Sequence, residues 1–348
     1  DVLVCRTEHE LTPEIRKKLA LFCNVDTNAV IEAKDAESIY DVPKLMLEEK
    51  IDLIVLDKLR INNYNKANID SWLSFLDRLK NPEHTVKIAL IGKYIELQDA
   101  YKSILESFVH AGGANNCKVE VISIQSEKIK TSNVKRLLGE LHGVLVAPGF
   151  GDRGVEGKIN AVKFARENKI PFLGICLGMQ CAAIEFARNV LGLKNANSTE
   201  MEVDCKDPII DLMEDQKSVT KMGGTMRLGA YPCTIGTKES HSYKAYKSVN
   251  IQERHRHRYE FNNEYLDAFI EKGMIATGIN PDSNLVEIIE DQNHPWFVGV
   301  QFHPELKSRV TKAHPLFREF VAAALVYKEE NNSATVDKVN KLTKDLNV

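Results

Sequence analysis

A single cysteine flanked by glycines, in Phe172-Leu173-Gly174-Ile175-Cys176-Leu177-Gly178-Met179-Gln180, is the part of the chain best suited to covalent chemistry. An apolar run precedes it and a helical pattern follows, so Cys176 falls on a sharp strand-to-helix turn. Glycine on either side lets the strand and helix close around such a turn without Cβ clashes. The thiol is then presented at a helix N-terminus, where unpaired N–H groups and the positive dipole end favour thiolate and can hold an oxyanion. On this peptide alone a nucleophile and a buried cysteine in an ordinary turn are equally good readings.

A second constellation lies near the other end. Trp296-Phe297-Val298-Gly299-Val300-Gln301-Phe302 reads as a buried strand and runs directly into His303-Pro304-Glu305. A cysteine nucleophile needs a base within hydrogen-bond reach, and the base needs a third group to set its tautomer and stabilise its charged form. His303 and Glu305 can supply both, and Pro304 restricts His303 to extended backbone. His-Pro-Glu alone reads as a strand-ending turn; beside Cys176 it completes a Cys-His-Glu set.

These residues need a scaffold that brings distant segments together. Apolar runs at Val86–Ile91 and Gly143–Ala147 alternate with helical stretches, which predicts an α/β fold with a central, mostly parallel sheet and flanking helices. Met179, Ala183, Phe186 and Val190 recur at helical spacing after Cys176, and Gly192 closes the segment. Gly149, Cys176 and His303 each follow an expected strand, where sites in such sheets lie. The first 80 residues read as a separate unit, with a strand at Val2–Cys5, a helix at Pro13–Cys23 and a second strand at Ala29–Ala33. A connector at 81–85 leads into a main domain at 86–327, and the polar segment 328–348 reads as a mobile tail or a solvated helix.

With both constellations present, the chain resembles the class I (triad) glutamine amidotransferases, whose nucleophile sits in a Gly-x-Cys-x-Gly elbow and whose partners are His-x-Glu. Asn197-Ser198-Thr199-Glu200-Met201, Met222-Gly223-Gly224-Thr225-Met226-Arg227-Leu228-Gly229 and Glu253-Arg254-His255-Arg256-His257-Arg258-Tyr259-Glu260 narrow the resemblance to the glutaminase half of the CTP synthases, over residues 86–327. The resemblance implies the flavodoxin-like amidotransferase fold, with Cys176 forming a glutamyl thioester, His303 moving protons and Glu305 orienting it. It makes the backbone N–H groups of Leu177 and Gly149 the oxyanion hole. The usual family loop is Pro-Gly-Gly-Phe-Gly, whereas this chain has Ala147-Pro148-Gly149-Phe150-Gly151; proline carries no N–H, so the donor is Gly149 or a later residue. Glutamine contacts are implied at Glu200, Arg258 and Gln180, with backbone from Gly149 and Leu177. Glu200 suits the α-ammonium and Arg258 the α-carboxylate, although lone surface residues of these types commonly form salt bridges instead.

By the same resemblance residues 1–80 are the C-terminal portion of a synthetase (amidoligase) domain that aminates UTP to CTP with ATP and Mg. GTP is the implied allosteric activator, near Phe150, Thr225 and Arg227, and the full-length enzymes form homotetramers and filaments. The chain starts without methionine, and its Gly157-Lys158 is followed by Ile159, so no Gly-x-x-x-x-Gly-Lys-Ser/Thr phosphate loop occurs. We therefore expect a fragment that retains at most glutaminase chemistry and cannot make CTP by itself. Two other classes fit the elbow: a catalytically silent assembly module, and a γ-glutamyl peptidase.

The run Arg254-His255-Arg256-His257-Arg258 has rivals of its own. As a nucleic-acid patch it is a single short run in a chain with 46 Lys+Arg against 49 Asp+Glu. As a metal site it lacks a completing cysteine or carboxylate pair, so no metal is expected. The length, 348 residues, allows about two domains, and 43% hydrophobic with 27% charged residues is a globular composition. No apolar run approaches a membrane span and no signal pattern opens the chain. Seven scattered cysteines without Cys-x-x-Cys spacing read as reduced thiols, so a cytoplasmic location is expected.

Overall fold

A computed structural model describes residues 1–97, 99–212 and 226–345, with side chains described through 333. The chain divides into two units, Asp1–Lys80 and Asn81–Val348. In the first, strands β1 (Leu3–Thr7) and β2 (Val30–Lys34) pair in parallel. Helix α1 (Pro13–Cys23) follows β1; Thr12 caps it by accepting the Ile15 N–H, and Asn24 ends it in left-handed backbone. Helices α2 (Val42–Glu48), α3 (Ile51–Lys58) and α4 (Asp70–Lys80) complete the unit. Arg16 ties it together, reaching Glu49 at 2.7 Å and Glu32 at 3.3 Å.

The second unit opens with β3 (His84–Gly92), α5 (Lys102–Ala114), β4 (Cys117–Gln125), α6 (Val134–Leu138), β5 (Gly143–Val146), α7 (Val155–Glu167), β6 (Phe172–Ile175) and α8 (Leu177–Asn189). Three short segments, β7 (Ala196–Ser198), β8 (Asp207–Leu212) and β11 (Tyr259–Phe261), form a small separate sheet. β9 (Arg227–Ile235), β10 (Asn250–His257), β12 (Met274–Ile279), β13 (Val286–Asp291) and β14 (Phe297–Val300) join the main one. Its order is β10-β9-β12-β13-β14-β6-β5-β3-β4. The five strands from β14 to β4 run parallel. The sheet is then extended on the β14 side by an antiparallel run that the sequence reading did not separate.

Burial falls off from the middle of the sheet to its edge strands β10 and β4. β5, β6 and β14 are buried at every position, as strands covered on both faces must be, whereas β10 alternates exposed and buried residues. Side-chain alternation sends Ala89, Val144, Val146 and Phe172 to one face, against α7 and α8. Ile88, Leu90, Leu145, Leu173 and Ile175 go to the other face, against α5 and the helix Pro315–Asp345. That last helix buries Phe317, Phe320, Val321 and Ala324 and runs on to Asp345, within the segment expected as a mobile tail or a solvated helix; its side chains are exposed from Glu329 to Ser333. Among the described residues no helix is long and apolar enough to cross a membrane.

Candidate active site

Cys176 sits between β6 and α8 with φ 53° and ψ −106°, a left-handed backbone that costs a non-glycine residue about 1–3 kcal/mol. The surroundings impose it. A Cβ on Gly178 would lie 2.2 Å from the Val146 carbonyl, and one on Gly174 would lie 2.7 Å from the Gly178 backbone, so the first turn of α8 packs against β5 and β6 only because both are glycine. The Cys176 N–H donates to the Val300 carbonyl at 2.7 Å and its carbonyl accepts from Gln180 N–H at 3.2 Å. The residue is 5% exposed, and its sulfur accepts from Gln301 Nε2 at 3.7 Å.

His303 follows β14 and is fixed by its own N–H, which donates to the Arg254 carbonyl at 2.8 Å. Its Nδ1–H donates to Glu305 Oε1 at 2.7 Å, inside the short 3-10 turn Pro304–Leu306. That contact fixes the tautomer and leaves Nε2, buried and without a hydrogen-bond partner, for the reacting groups. Burial opposes charge on His303, but the interactions with Cys176 and Glu305 together outweigh it and push its pKa up to about 10. An imidazolium beside the sulfur is what an activated cysteine requires.

A cavity of about 580 Å³ opens onto these groups, and Gly149, Gln180, Glu200, Arg258 and His303 are among its lining residues. Glu200 Oε1 accepts the Gly151 N–H at 2.7 Å, which ties the small sheet to the glycine loop. Gln180 is buried, its Nε2 donating to the Tyr259 carbonyl at 3.1 Å and to Gln301 Oε1 at 3.2 Å, so its side chain braces the wall. Gly149 lies against Leu177: a Cβ there would meet Leu177 Cδ2 at 3.3 Å and Lys158 Nζ at 3.6 Å. Lys158 is fully buried, donates to the Ala147 carbonyl at 2.7 Å, and is pushed down to about 8 chiefly by burial. Leu177 opens α8, where helix geometry leaves its N–H without an intrahelical acceptor.

Of the three residues linked in the sequence to an effector, the two described ones sit in different surroundings. Phe150 is 67% exposed beside Lys93, whose Nζ lies 5.0 Å from the ring centre and donates to the Phe150 carbonyl. Arg227 is buried at the start of β9, paired to Glu287 at 2.7 Å and to Glu260 at 3.4 Å. Thr225 lies outside the described residues. In β10, Arg254 and Arg256 point outward while His255 and His257 turn inward, joined at 2.8 Å. Burial, then Arg227 and His303, push His255 down to about 3, so it is neutral. Among the described residues no cluster of three or more His, Cys, Asp or Glu could hold a metal ion.

Two features escaped the sequence reading. Gln301, fully buried beside the sulfur, was signalled only by its polarity in an otherwise apolar strand. In the first unit a cavity of about 470 Å³ is lined by Arg6, Lys34, Asp35 and Ile39; no motif marks it.

Residues 96–323 match the family model for Glutamine amidotransferase class-I, and residues 1–61 match the model for CTP synthase N-terminus. The chain is 62% identical over 324 residues to the CTP synthase of Cytophaga hutchinsonii, covering 93% of this chain and 60% of that protein. It is 58% identical to the CTP synthase of Christiangramia forsetii, covering 96% of this chain and 61% of that one. The chain thus spans about 60% of the length of these curated relatives. Among solved structures, the glutaminase domain of Trypanosoma brucei CTPS with bound acivicin superimposes with a TM-score of 0.64 at 38% identity, over 69% of this chain and 94% of that domain. Family model, fold and relatives agree: the chain belongs to the class-I glutamine amidotransferase family, in the branch whose curated members are CTP synthases.

Proposed function

We propose that the chain hydrolyses glutamine to glutamate and ammonia at Cys176, His303 and Glu305. The supporting observation is the 2.7 Å His303–Glu305 contact in a cavity that Cys176, Glu200 and Arg258 also line. Sγ attacks the side-chain amide carbon, and the tetrahedral oxyanion is held by the N–H groups of Leu177 and Gly149. The protonated His303 gives its Nε2 proton to the departing nitrogen, the C–N bond breaks, and ammonia leaves behind a glutamyl thioester. Neutral His303 then takes a proton from water as the hydroxyl adds to the thioester, and glutamate departs with the thiol restored. Glu305 holds the ring throughout. Glu200 pairs with the α-ammonium of glutamine and Arg258 with its α-carboxylate, while Gln180 and the backbone of Gly149 and Leu177 shape the amide pocket.

In the whole protein this ammonia serves the ATP-dependent amination of UTP to CTP. Residues 1–80 are then the C-terminal portion of the synthetase domain, 81–85 its linker and 86–327 the glutaminase, with 328–348 as an extension. ATP, Mg and UTP belong to the synthetase part, and a homotetramer, filaments and a cytoplasmic setting follow the family. GTP is the effector near Phe150, Thr225 and Arg227, with the exposed Phe150 ring free to stack on a base and the Arg227 side chain engaged with Glu287 and Glu260.

Glutamate release by the purified chain, run beside Cys176→Ala and repeated with GTP, tests the reading. Release abolished by the substitution supports it. A folded chain without release and without labelling of Cys176 by a glutamine-like electrophile favours the silent module, and preference for γ-linked peptides favours the peptidase.

A further inference from the structure

The acidic residue that opens the Glu253–Glu260 run takes no part in binding or catalysis as described above, yet it is one of the most buried charges in the unit. Glu253 is 1% exposed in β10. Its Oε1 accepts from the Tyr246 hydroxyl at 3.0 Å, lies 3.1 Å from His314 Nε2 and 3.5 Å from Lys307 Nζ. Its Oε2 is buried without a hydrogen-bond partner. Enclosing a carboxylate is costly, and an apolar side chain of similar volume commonly stabilises a fold as well or better. Stability alone therefore gives little reason for a carboxylate here.

What converges on Glu253 suggests another reason. Lys307 lies two residues past Glu305, and besides facing Glu253 it donates to the neighbouring Gln252 carbonyl. Arg254, on the other side of Glu253, accepts the His303 N–H at 2.8 Å. His314 stands immediately before the last helix, and its N–H donates to Ser308 Oγ at 3.2 Å. The segment from His303 to His314 is thus held to β10 at both ends, with one carboxylate oxygen shared by the two side-chain ties. The His303–Glu305 pair opens that segment, two residues before Lys307, on a single 3-10 turn.

We propose that Glu253 is a positioning residue for the His303–Glu305 pair, acting through Lys307 and His314. This rests on the glutaminase reading for its biological meaning but not for its test. Glu253→Gln keeps an acceptor for Tyr246 and removes the charge that holds Lys307 and His314. Lys307→Met cuts one tie from its half-exposed side. In the full chain, iodoacetamide alkylation of Cys176 at neutral pH is followed by peptide mass spectrometry, with the exposed Cys23 as internal reference. Alongside it run kcat and KM for glutamate release and the melting temperature.

Each variant should slow alkylation of Cys176 relative to Cys23 by about tenfold, since misplacement by an ångström costs that much or more. Turnover should fall by a similar factor with KM changed by less than about twofold, and the double variant should be no slower than the slower single one. Parent-like alkylation in both variants overturns the proposal. So does a loss in Glu253→Gln that only follows a lowered melting temperature while Lys307→Met matches the parent. If the parent releases no glutamate, the glutaminase reading fails, and the alkylation ratios still decide the role of Glu253.

Discussion

The amide of Cys176 donates to the carbonyl of Val300 at 2.7 Å, so the proposed nucleophile is hydrogen-bonded to the strand that leads into its proposed base. β6 and β14 are parallel neighbours in register from Phe172↔Phe297 to Ile175↔Val300. Two segments more than a hundred residues apart therefore end side by side, one turning into α8 and the other into His303. The alignment of sulfur and imidazole is a property of sheet register, braced by the Phe172–Phe297 stack at 4.3 Å.

The closeness of α8 to the sheet gives the first prediction. Gly178→Ala forces a methyl to within 2.2 Å of the Val146 carbonyl, a backbone atom that cannot swing aside. We expect a loss of about 3 kcal/mol or more, read from denaturant unfolding, because overpacking against fixed backbone sits at the upper end of its usual cost. An unfolding midpoint equal to the parent's would mean that α8 can move outward, and that the elbow does not need its glycine.

The protonation of His303 gives the second. Burial is the largest influence on it and disfavours the charge; Cys176 and Glu305 oppose burial and prevail, leaving a pKa of about 10. Removing the sulfur in Cys176→Ala leaves burial opposed by Glu305 alone. The imidazole should then lose its proton at lower pH, moving toward the ordinary value of about 6.5. Ring-nitrogen NMR through the alkaline range reads this directly, and a titration unchanged by the substitution would sever the link between the two side chains.

Much of this site was legible from local pattern because its parts are local. Gly-x-Cys-x-Gly after an apolar run dictates an elbow through sterics, and the structure has Cys176 in positive φ as that requires. His303 and Glu305, two positions apart, could pair whatever the rest of the chain did. Arg227 was different: its arginine type matched a ligand contact, but its neighbours Glu260 and Glu287 come from other strands, and strand pairing is not written at the position itself. The antiparallel half of the sheet was hidden for a similar reason, since neighbours such as β9 and β12 come from separate parts of the chain and their pairing is not written in either strand. Glu253 shows the limit from the other side, a plain glutamate whose importance lies in three partners drawn from separate segments.

Recognition of the substrate's ends should separate from chemistry. Glu200→Gln and Arg258→Met each remove a charged partner proposed to bind glutamine equally in its ground and transition states. KM should rise about 10- to 100-fold, the worth of a charge-assisted hydrogen bond, while kcat changes much less. Glu200 has a second contact, the Gly151 N–H at 2.7 Å, so its variant should also loosen the glycine loop and lose somewhat more kcat than Arg258→Met. Steady-state kinetics on both variants checks the order, and unchanged KM in either would remove that residue from the binding site.

Glu305→Gln tests the third member of the proposed triad without changing its size. The amide can present its NH₂ group to Nδ1 of His303 and so favour the tautomer with its proton on Nε2, the wrong one for taking a proton from water. It also withdraws one of the two groups that keep the ring charged against burial, so the His303 pKa should fall. Both effects act on the chemical steps, and neither touches the residues assigned to glutamine. We expect kcat to fall by about 100-fold to 10,000-fold with KM nearly unchanged, and the pH below which the ring stays protonated to move down. A modest loss of kcat with a large rise in KM would instead make Glu305 a wall of the cavity, and Cys176 and His303 would then act as a dyad.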